Sequence, residues 1–356
     1  MTQKTASGNF FEDFKIGQQL AHATPRTLTE GDRALYTALY GSRFALQSGD
    51  GFARHLGFRQ SPIDDLLVFH TVFGKSVPDI SLNAVANLGY LGYAEGRFLK
   101  PVYPGEMLSA SSEVIGLKEN SNKETGVVYV RTHGRNAAGE QVLSYIRWVM
   151  VRKRDAGARV GETVVPKLAA CVSPADLAPP HGTDYATLFD TTLSGSPHRW
   201  DDYSTGEKID HVDGMTVEEA EHMLATRLYQ NTARVHFNQY TEGKGRFGRR
   251  LIYGGHVISL ARALSFNGLA NAVSIAAING GRHVNPLFAG DTVFAWSEVL
   301  DKAEIPHRKD VGALRLRLVA TKNRICADFP DKDESGKYPA DVILDFDYWA
   351  LLPRKL

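Results

Sequence analysis

The chain has 356 residues, 43% hydrophobic and 23% charged, a globular composition that excludes a disordered or fibrous protein. With 41 basic and 40 acidic residues the net charge is +1, so no excess positive charge points to a nucleic acid or a membrane as partner. The two cysteines, Cys171 and Cys326, are too few for a disulfide framework or a structural zinc site. A polar N-terminus and the lack of a long apolar run predict a soluble protein of the cytoplasm.

The predicted elements follow the same order in each half of the chain, a helix first and strands after it. Apolar residues at helical spacing predict buried helices, and strict alternation predicts half-buried antiparallel strands. Pro78 is expected to end the first helix. The expected elements are a helix at Leu66–Val77, strands at Val127–Arg131 and Gln141–Val151, a helix at Gly255–Leu269, and strands at Leu314–Leu318 and Leu344–Tyr348. This order predicts an α+β fold in which each antiparallel sheet wraps around its own helix.

An internal repeat supports this division. Residues Phe11–Gly17 read FEDFKIG, and residues Trp200–Gly206 read WDDYSTG 189 positions later. Residues Arg97–Glu106 resemble Arg282–Asp291 in the same way, at an offset of 185. Matches in one order predict two copies of one unit. We expect an N-terminal domain over residues 1–152, a proline- and glycine-rich connector over residues 153–199, and a C-terminal domain over residues 200–356.

Two sequence motifs for phosphate binding fail on their context. Gly243–Gly248 spells G-x-G-x-x-G, but a polar segment precedes it where a dinucleotide-binding fold needs an apolar strand. We expect a loop there. Gly74–Ser76 resembles the end of a P-loop, but Phe69 stands where the first glycine of that loop belongs.

A third motif is more informative. Residues Tyr229–Asn238 read YQNTARVHFN, and Ile252–Gly255 reads IYGG at the start of the second predicted helix. These segments resemble the hydratase motif of the MaoC-like, (R)-specific enoyl-CoA hydratase family, approximately G-D-x-N-P-[LIV]-H-x-D with an Ile-x-x-Gly turn. Arg282–Asp291 resembles that family's strand entry, R-F-x-x-P-V-x-x-G-D. The resemblance covers nearly the whole chain and implies two fused hotdog domains, the first a degenerate copy. It also implies a carbon–oxygen lyase whose expected reaction is hydration of mesaconyl-C1-CoA to β-methylmalyl-CoA.

The resemblance implies site residues in the second half. His236 takes the place of the motif histidine and is the expected general base, since neutral imidazole suits that role near pH 7. Asn231 stands where the family has an aspartate; it can orient a water but cannot take a proton. Gly255, or Gly254 beside it, would present backbone N–H groups at the helix start to the thioester oxygen.

A substrate with a free carboxylate needs a cationic partner, for which Arg234 and Arg262 are the candidates. An alternative catalytic pair lies in the first half, where Asp50 and His55 are also five residues apart. Its spacing to the following helix fits the motif less well. The 189-residue offset instead pairs the site residues with uncharged ones, His236 with Gln47 and Asn231 with Ser42.

Other functions stay open on the sequence alone. They are hydration of a different enoyl-CoA, acyl-CoA thioester hydrolysis, and binding of acyl-CoA without catalysis. We expect no metal and no redox cofactor, since CoA is part of the substrate. Hotdog sheets commonly pair at their edges, so a homodimer is expected by analogy.

Overall fold

The computed structural model describes residues 4–85, 92–180 and 184–355. Its eleven strands pair in antiparallel fashion in a single sheet. They are β1 Gln19–Thr27, β2 Gly92–Phe98, β3 Met107–Glu119, β4 Thr125–Arg135, β5 Gln141–Arg152, β6 Lys208–Asp210, β7 Met215–Thr216, β8 Ser274–His283, β9 Thr292–Ile305, β10 Arg308–Lys322 and β11 Val342–Pro353. The four predicted strands therefore exist and lie in β4, β5, β10 and β11.

Helices connect these strands, and none formed by the described residues is long and apolar enough to cross a membrane. The α-helices are α1 Glu30–Tyr40, α2 Ala45–Ser48, α3 Asp50–His55, α4 Asp65–Ile80, α5 Tyr185–Leu188, α6 Thr191–Ser194, α7 Glu219–Leu228, α8 Arg234–Phe237, α9 Gln239–Glu242, α10 Gly254–Leu264 and α11 Phe266–Leu269. The two predicted helices correspond to α4 and to α10 with α11.

The sheet consists of two halves with the same strand order. One half runs β1-β3-β4-β5-β2 and the other runs β6-β9-β10-β11-β8 from edge to centre. β2 pairs with β8 at the centre, with Gly92 opposite Arg282 and Arg97 opposite Ala277. Because Arg97 and Arg282 are equivalent in the repeat, this register relates the two halves by a two-fold axis. The fold is thus a double hotdog, as predicted.

One matching interaction shows the repeat at the level of side chains. His22 in β1 lies 2.7 Å from the hydroxyl of Ser112 in β3. In the second half, His211 lies 2.8 Å from the hydroxyl of Ser297 in β9. Both pairs are buried, so the two copies conserve a polar contact inside the sheet as well as an apolar pattern.

The central helices α4 and α10 are largely buried in the core that both halves share. Asp64 caps the start of α4 by accepting a hydrogen bond from the backbone N–H of Leu66. The prediction that Pro78 ends this helix was wrong, since α4 continues to Ile80. Pro78 lies in the last turn, where its missing N–H removes one hydrogen bond, and the helix end is closed by Ser81 donating to Val77.

The segment between the two halves packs against the sheet. Val172 is held from both sides: its N–H donates to Asn279 in β8, and its carbonyl accepts from the indole N–H of Trp349 in β11. Val164 forms a bridge with Leu117 in β3. These contacts fix part of the connector on the surface of the sheet.

Candidate active site

A cavity of about 520 Å³ opens beside the N-terminus of α10 and is lined by both halves of the chain. The second half contributes α8, the following loop and the end of β8, while the first half contributes the C-terminal part of α4 and strand β5. Four of the residues predicted from the sequence line this cavity: Asn231, Arg234, His236 and Gly254.

His236 has the geometry of a general base. Its Nδ1 lies 2.9 Å from the carbonyl oxygen of Leu251, which can only accept a hydrogen bond, so Nδ1 carries the proton. The other ring nitrogen, Nε2, is then the acceptor. Burial lowers the pKa of His236 to about 4, with the hydrogen bond to Leu251 acting in the opposite direction. The imidazole is therefore neutral at pH 7 and able to accept a proton.

Asn231 lines the cavity, and its side-chain amide is buried. Its side-chain oxygen accepts from the backbone N–H of Ala233 at 3.0 Å, which fixes the orientation of the amide. The amide nitrogen Nδ2 is buried and has no partner among the described residues. A buried donor without a partner on the protein is available to an oxygen atom of a bound molecule. The sequence allowed Asn231 to orient a water, and the side-chain atom without a partner in the described residues is the nitrogen.

The start of α10 lies at the cavity wall. Tyr253 precedes the helix, and its N–H donates to Nε2 of His222 at 2.9 Å. Gly254, the first residue of the helix, lines the cavity, and a Cβ there would lie 2.4 Å from the ring of His283. Gly255 is packed more deeply, against His70 and Tyr253. Both glycines thus allow rings to approach the helix start closely.

Five neutral histidines surround this helix terminus. Burial is the main cause that lowers the pKa of each one, to values between about 2 and about 4. They are His70, His222, His236, His256 and His283. Across the parts of the chain that the structure describes, no three His, Cys, Asp or Glu side chains are grouped so that they could hold a metal ion.

The two predicted arginines lie in different places. Arg234 is exposed on the cavity wall. Arg262 is buried at the far end of α10, where it donates to the carbonyl of Ala272 and stacks on Phe44 at 3.6 Å. The structure therefore brings Arg234 to the cavity together with His236 and places Arg262 outside it.

The alternative pair also lies outside the cavity. Asp50 begins α3 and forms an ion pair with Arg33 at 2.9 Å, while His55 is exposed at the end of the same helix. Nearby, the counterparts of the second-half site line a closed pocket of about 10 Å³, with Ser42 in place of Asn231 and Gln47 in place of His236.

Sequence reasoning missed two cavity residues, His283 and Arg147. His283 is the last residue of β8, next to Arg282 in the segment that resembles the hydratase family. Arg147 is a fully buried residue of β5. A charge within the apolar stretch Val142–Val151 was the available signal, because strands with two buried faces rarely contain one.

The fold and the cavity define a double hotdog protein of the acyl-CoA hydratase type. A family model described as mesaconyl-CoA hydratase matches residues 2–327, and the chain belongs to that family. It is 64% identical to a beta-methylmalyl-CoA dehydratase of Chloroflexus aurantiacus, over the full length of both chains. A crystal structure of a MaoC domain dehydratase from the same species has a TM-score of 0.96, 64% identity and full coverage of both chains. A double hotdog protein of Mycobacterium tuberculosis has a TM-score of 0.72 at 23% identity, covering 98% of this chain and 99% of its own.

Proposed function

We propose that the protein is a hydro-lyase that reversibly adds water to the C=C bond of mesaconyl-C1-CoA and gives β-methylmalyl-CoA. The family description and the name of the Chloroflexus relative denote the two directions of this reaction. The observation that carries the proposal is a neutral His236 with Nε2 free to accept, in a cavity that also contains the start of a buried helix.

In the proposed mechanism His236 removes a proton from water as the oxygen bonds to the β-carbon of the substrate. The C=C electrons move toward the thioester, whose oxygen gains negative charge. The N–H group of Gly254 stabilises that charge at the N-terminus of α10. Protonation of the α-carbon completes the addition, and the protonated His236 is the nearest source of this proton. The Nδ2 donor of Asn231 then holds the oxygen of the attacking water.

The mouth of the cavity carries positive charge that suits the phosphates of CoA. Four exposed cations line it, and within the described residues none has a carboxylate within 4.0 Å. They are Arg152, Arg234, Lys244 and Arg246. Lys244 and Arg246 belong to the predicted loop Gly243–Gly248, whose glycines allow a phosphate to approach the backbone. We therefore propose that CoA lies across this loop with its acyl group inside the cavity.

The test is incubation of the purified protein with mesaconyl-C1-CoA. We expect the enoyl-thioester absorbance to fall and a product heavier by one water molecule to form. Release of free CoA thiol would identify a thioesterase, and tight binding without turnover would identify an acyl-CoA binding protein. Hydration of crotonyl-CoA but not of mesaconyl-C1-CoA would show that the protein is a hydratase with a different substrate from the one proposed.

Homodimer formation and cytoplasmic location remain predictions. Light scattering would measure the first.

A further inference from the structure

Arg147 is a buried cation without an acidic partner among the residues that the structure describes. Its side chain is fully buried, and it donates to the hydroxyl groups of Ser81 at 2.7 Å and Ser76 at 2.9 Å. The guanidinium carbon lies 4.3 Å from the centre of the Phe73 ring. Its Nε has no hydrogen-bond partner, and no carboxylate among the described residues lies within 4.0 Å. Buried guanidinium groups are normally paired with an anion, because desolvating the charge is otherwise unfavourable.

The second half of the chain contains the matching arrangement. The repeat offset makes Arg262 on α10 the equivalent of Phe73 on α4. In the antiparallel pair β2–β5, Arg147 lies opposite Tyr93. In the pair β8–β11, Tyr348 lies opposite the residue that the repeat makes equivalent to Tyr93. Arg147 and Tyr348 are therefore equivalent. Each half therefore places one arginine beside one aromatic ring. In the first half the ring is on the helix and the arginine on the strand, and in the second half these positions are exchanged. Arg262 lies 5.9 Å from the Tyr348 ring.

The two arginines differ in their surroundings. The acidic side chains of Asp64 and Asp65 lie within electrostatic range of Arg262. Around Arg147 the groups within electrostatic range are the phenols of Tyr93, Tyr145 and Tyr253. Arg147 also lines the open cavity, whereas Arg262 lies beyond it. The cavity that both halves line thus borders a buried cation, and none of the described carboxylates lies within 4.0 Å of it.

We propose that Arg147 binds the free carboxylate of the acyl group and thereby selects a dicarboxylic enoyl-CoA. This inference rests on the proposed function and names the residue that determines its substrate class. Two guanidinium nitrogens are held by serines, and the planar fork presents its remaining donors to one carboxylate. The strand that carries it belongs to the first half, so the degenerate copy supplies a specificity residue to the site of the second.

The chemistry of the substrate fits this position. In mesaconyl-C1-CoA the carboxylate is bonded to the β-carbon, at the opposite end of the acyl group from the thioester. With the thioester at the start of α10 and the carboxylate on Arg147, both ends of the double bond are fixed. The β-carbon is then presented to the water held by His236. A substrate with a methyl group in place of the carboxylate would leave the buried cation without a partner.

The experiment compares two substrates in the Arg147→Met variant. One is mesaconyl-C1-CoA, and the other is (E)-2-methylbut-2-enoyl-CoA, in which a methyl group replaces the carboxylate. We expect kcat/KM for mesaconyl-C1-CoA to fall by about 100-fold or more, while that for the methyl analogue is retained or rises. An equal loss for both substrates in a folded variant would overturn the proposal.

Two further variants control this result. Arg147→Lys keeps a charge without the planar fork and should restore part of the preference for the dicarboxylic substrate. Arg152→Met removes a cation at the cavity mouth. It should lower kcat/KM for both substrates by the same factor, because both contain CoA. If Arg147→Met does not fold, the Arg147→Lys variant takes its place. A ratio of kcat/KM between the two substrates that is the same in this variant as in the wild type would reject the assignment.

A binding measurement separates this proposal from the proposed function. Succinyl-CoA and butyryl-CoA differ in the same way as the two substrates, and neither contains a C=C bond to hydrate. Calorimetry on the wild-type protein should show tighter binding of succinyl-CoA, and Arg147→Met should abolish the difference. This result supports the role of Arg147 even if mesaconyl-C1-CoA is not turned over. Equal affinities in the wild type would contradict it.

Discussion

The hydroxyl groups of Tyr40 and Tyr229 lie 2.6 Å apart, and these residues are equivalent, 189 positions from each other in the two halves of the chain. His70 and Ser259 are equivalent in the same way, and their side chains meet at 3.2 Å. Equivalent residues meet only where the two-fold axis passes. The axis therefore runs through the buried tyrosine and histidine side chains beside α4 and α10. The open cavity and the closed pocket lie on its two sides.

The closed pocket is expected to be catalytically silent. Gln47, the counterpart of His236, donates to the backbone carbonyl of Val273 at 2.9 Å. Gln47→Ala should leave kcat unchanged and reduce the free energy of unfolding by about 1 kcal/mol, the usual contribution of one hydrogen bond. Chemical denaturation and the hydration assay measure the two quantities. A large loss of kcat with little change in stability would mean that the first half retains a functional site.

The acid limb in the pH profile of kcat/KM should lie at an unusually low pH. Burial lowers the pKa of His236 to about 4, and protonation of His236 removes the acceptor needed for water. We therefore expect kcat/KM to stay constant from pH 7 down to about pH 5 and to fall as the pH approaches 4. Initial rates in buffers of constant ionic strength measure this. A limb near the ordinary histidine pKa of about 6.5 would contradict the assignment of a buried base.

Gly254 is expected to be required for activity, because the ring of His283 leaves no room for a side chain at this position. In Gly254→Ala the new Cβ would lie 2.4 Å from His283, so either this ring or the helix start must move. Loss of one aligned N–H donor typically costs about 100-fold in rate. The double variant Gly254→Ala/His283→Ala removes the collision and should return to the activity of His283→Ala alone. If the double variant is no more active than Gly254→Ala, the collision is not the cause.

Stability should decrease as the pH falls below the ordinary histidine pKa. The pKa values of His70, His222 and His256 are lowered to about 3 or below by burial, so between about pH 6.5 and 3 the unfolded chain binds protons that the folded one does not. Each such group contributes a slope approaching about 1.4 kcal/mol per pH unit. Chemical denaturation from pH 7.5 to 5.0 measures the total slope. His256→Asn should reduce it, and an unchanged slope would place the proton uptake elsewhere.

Much of the fold could be predicted because the repeat and the alternation of apolar residues are local signals. The motif around His236 likewise lies on the wall of the cavity that both halves line. The partner of the substrate carboxylate could not be identified in this way, because sequence proximity favoured Arg234 and Arg262. Arg147 reaches the cavity only after β5 and α4 of the other half have packed against α10. That juxtaposition depends on tertiary structure, which sequence spacing does not reveal.

The helix boundaries show a similar limit. A proline was expected to end α4, but its position in the last turn made it tolerable. The second helix was expected to run unbroken to Leu269, whereas α10 ends at Leu264 and the backbone is non-helical at Asn267 and at Gly268, where φ is 105°. Tyr203 donates to the carbonyl of Gly268, so a contact from a distant segment stabilises the break.

The most direct test of the account is the rate of mesaconyl-C1-CoA hydration by His236→Ala, measured beside His55→Ala. His236 lines the cavity with one nitrogen free to accept, whereas His55 is exposed on α3. We predict a loss of about 10²- to 10⁴-fold for His236→Ala, with an unchanged circular dichroism spectrum, and full activity for His55→Ala. Full activity of His236→Ala together with an inactive, folded His55→Ala would contradict the account and transfer the active site to the first half.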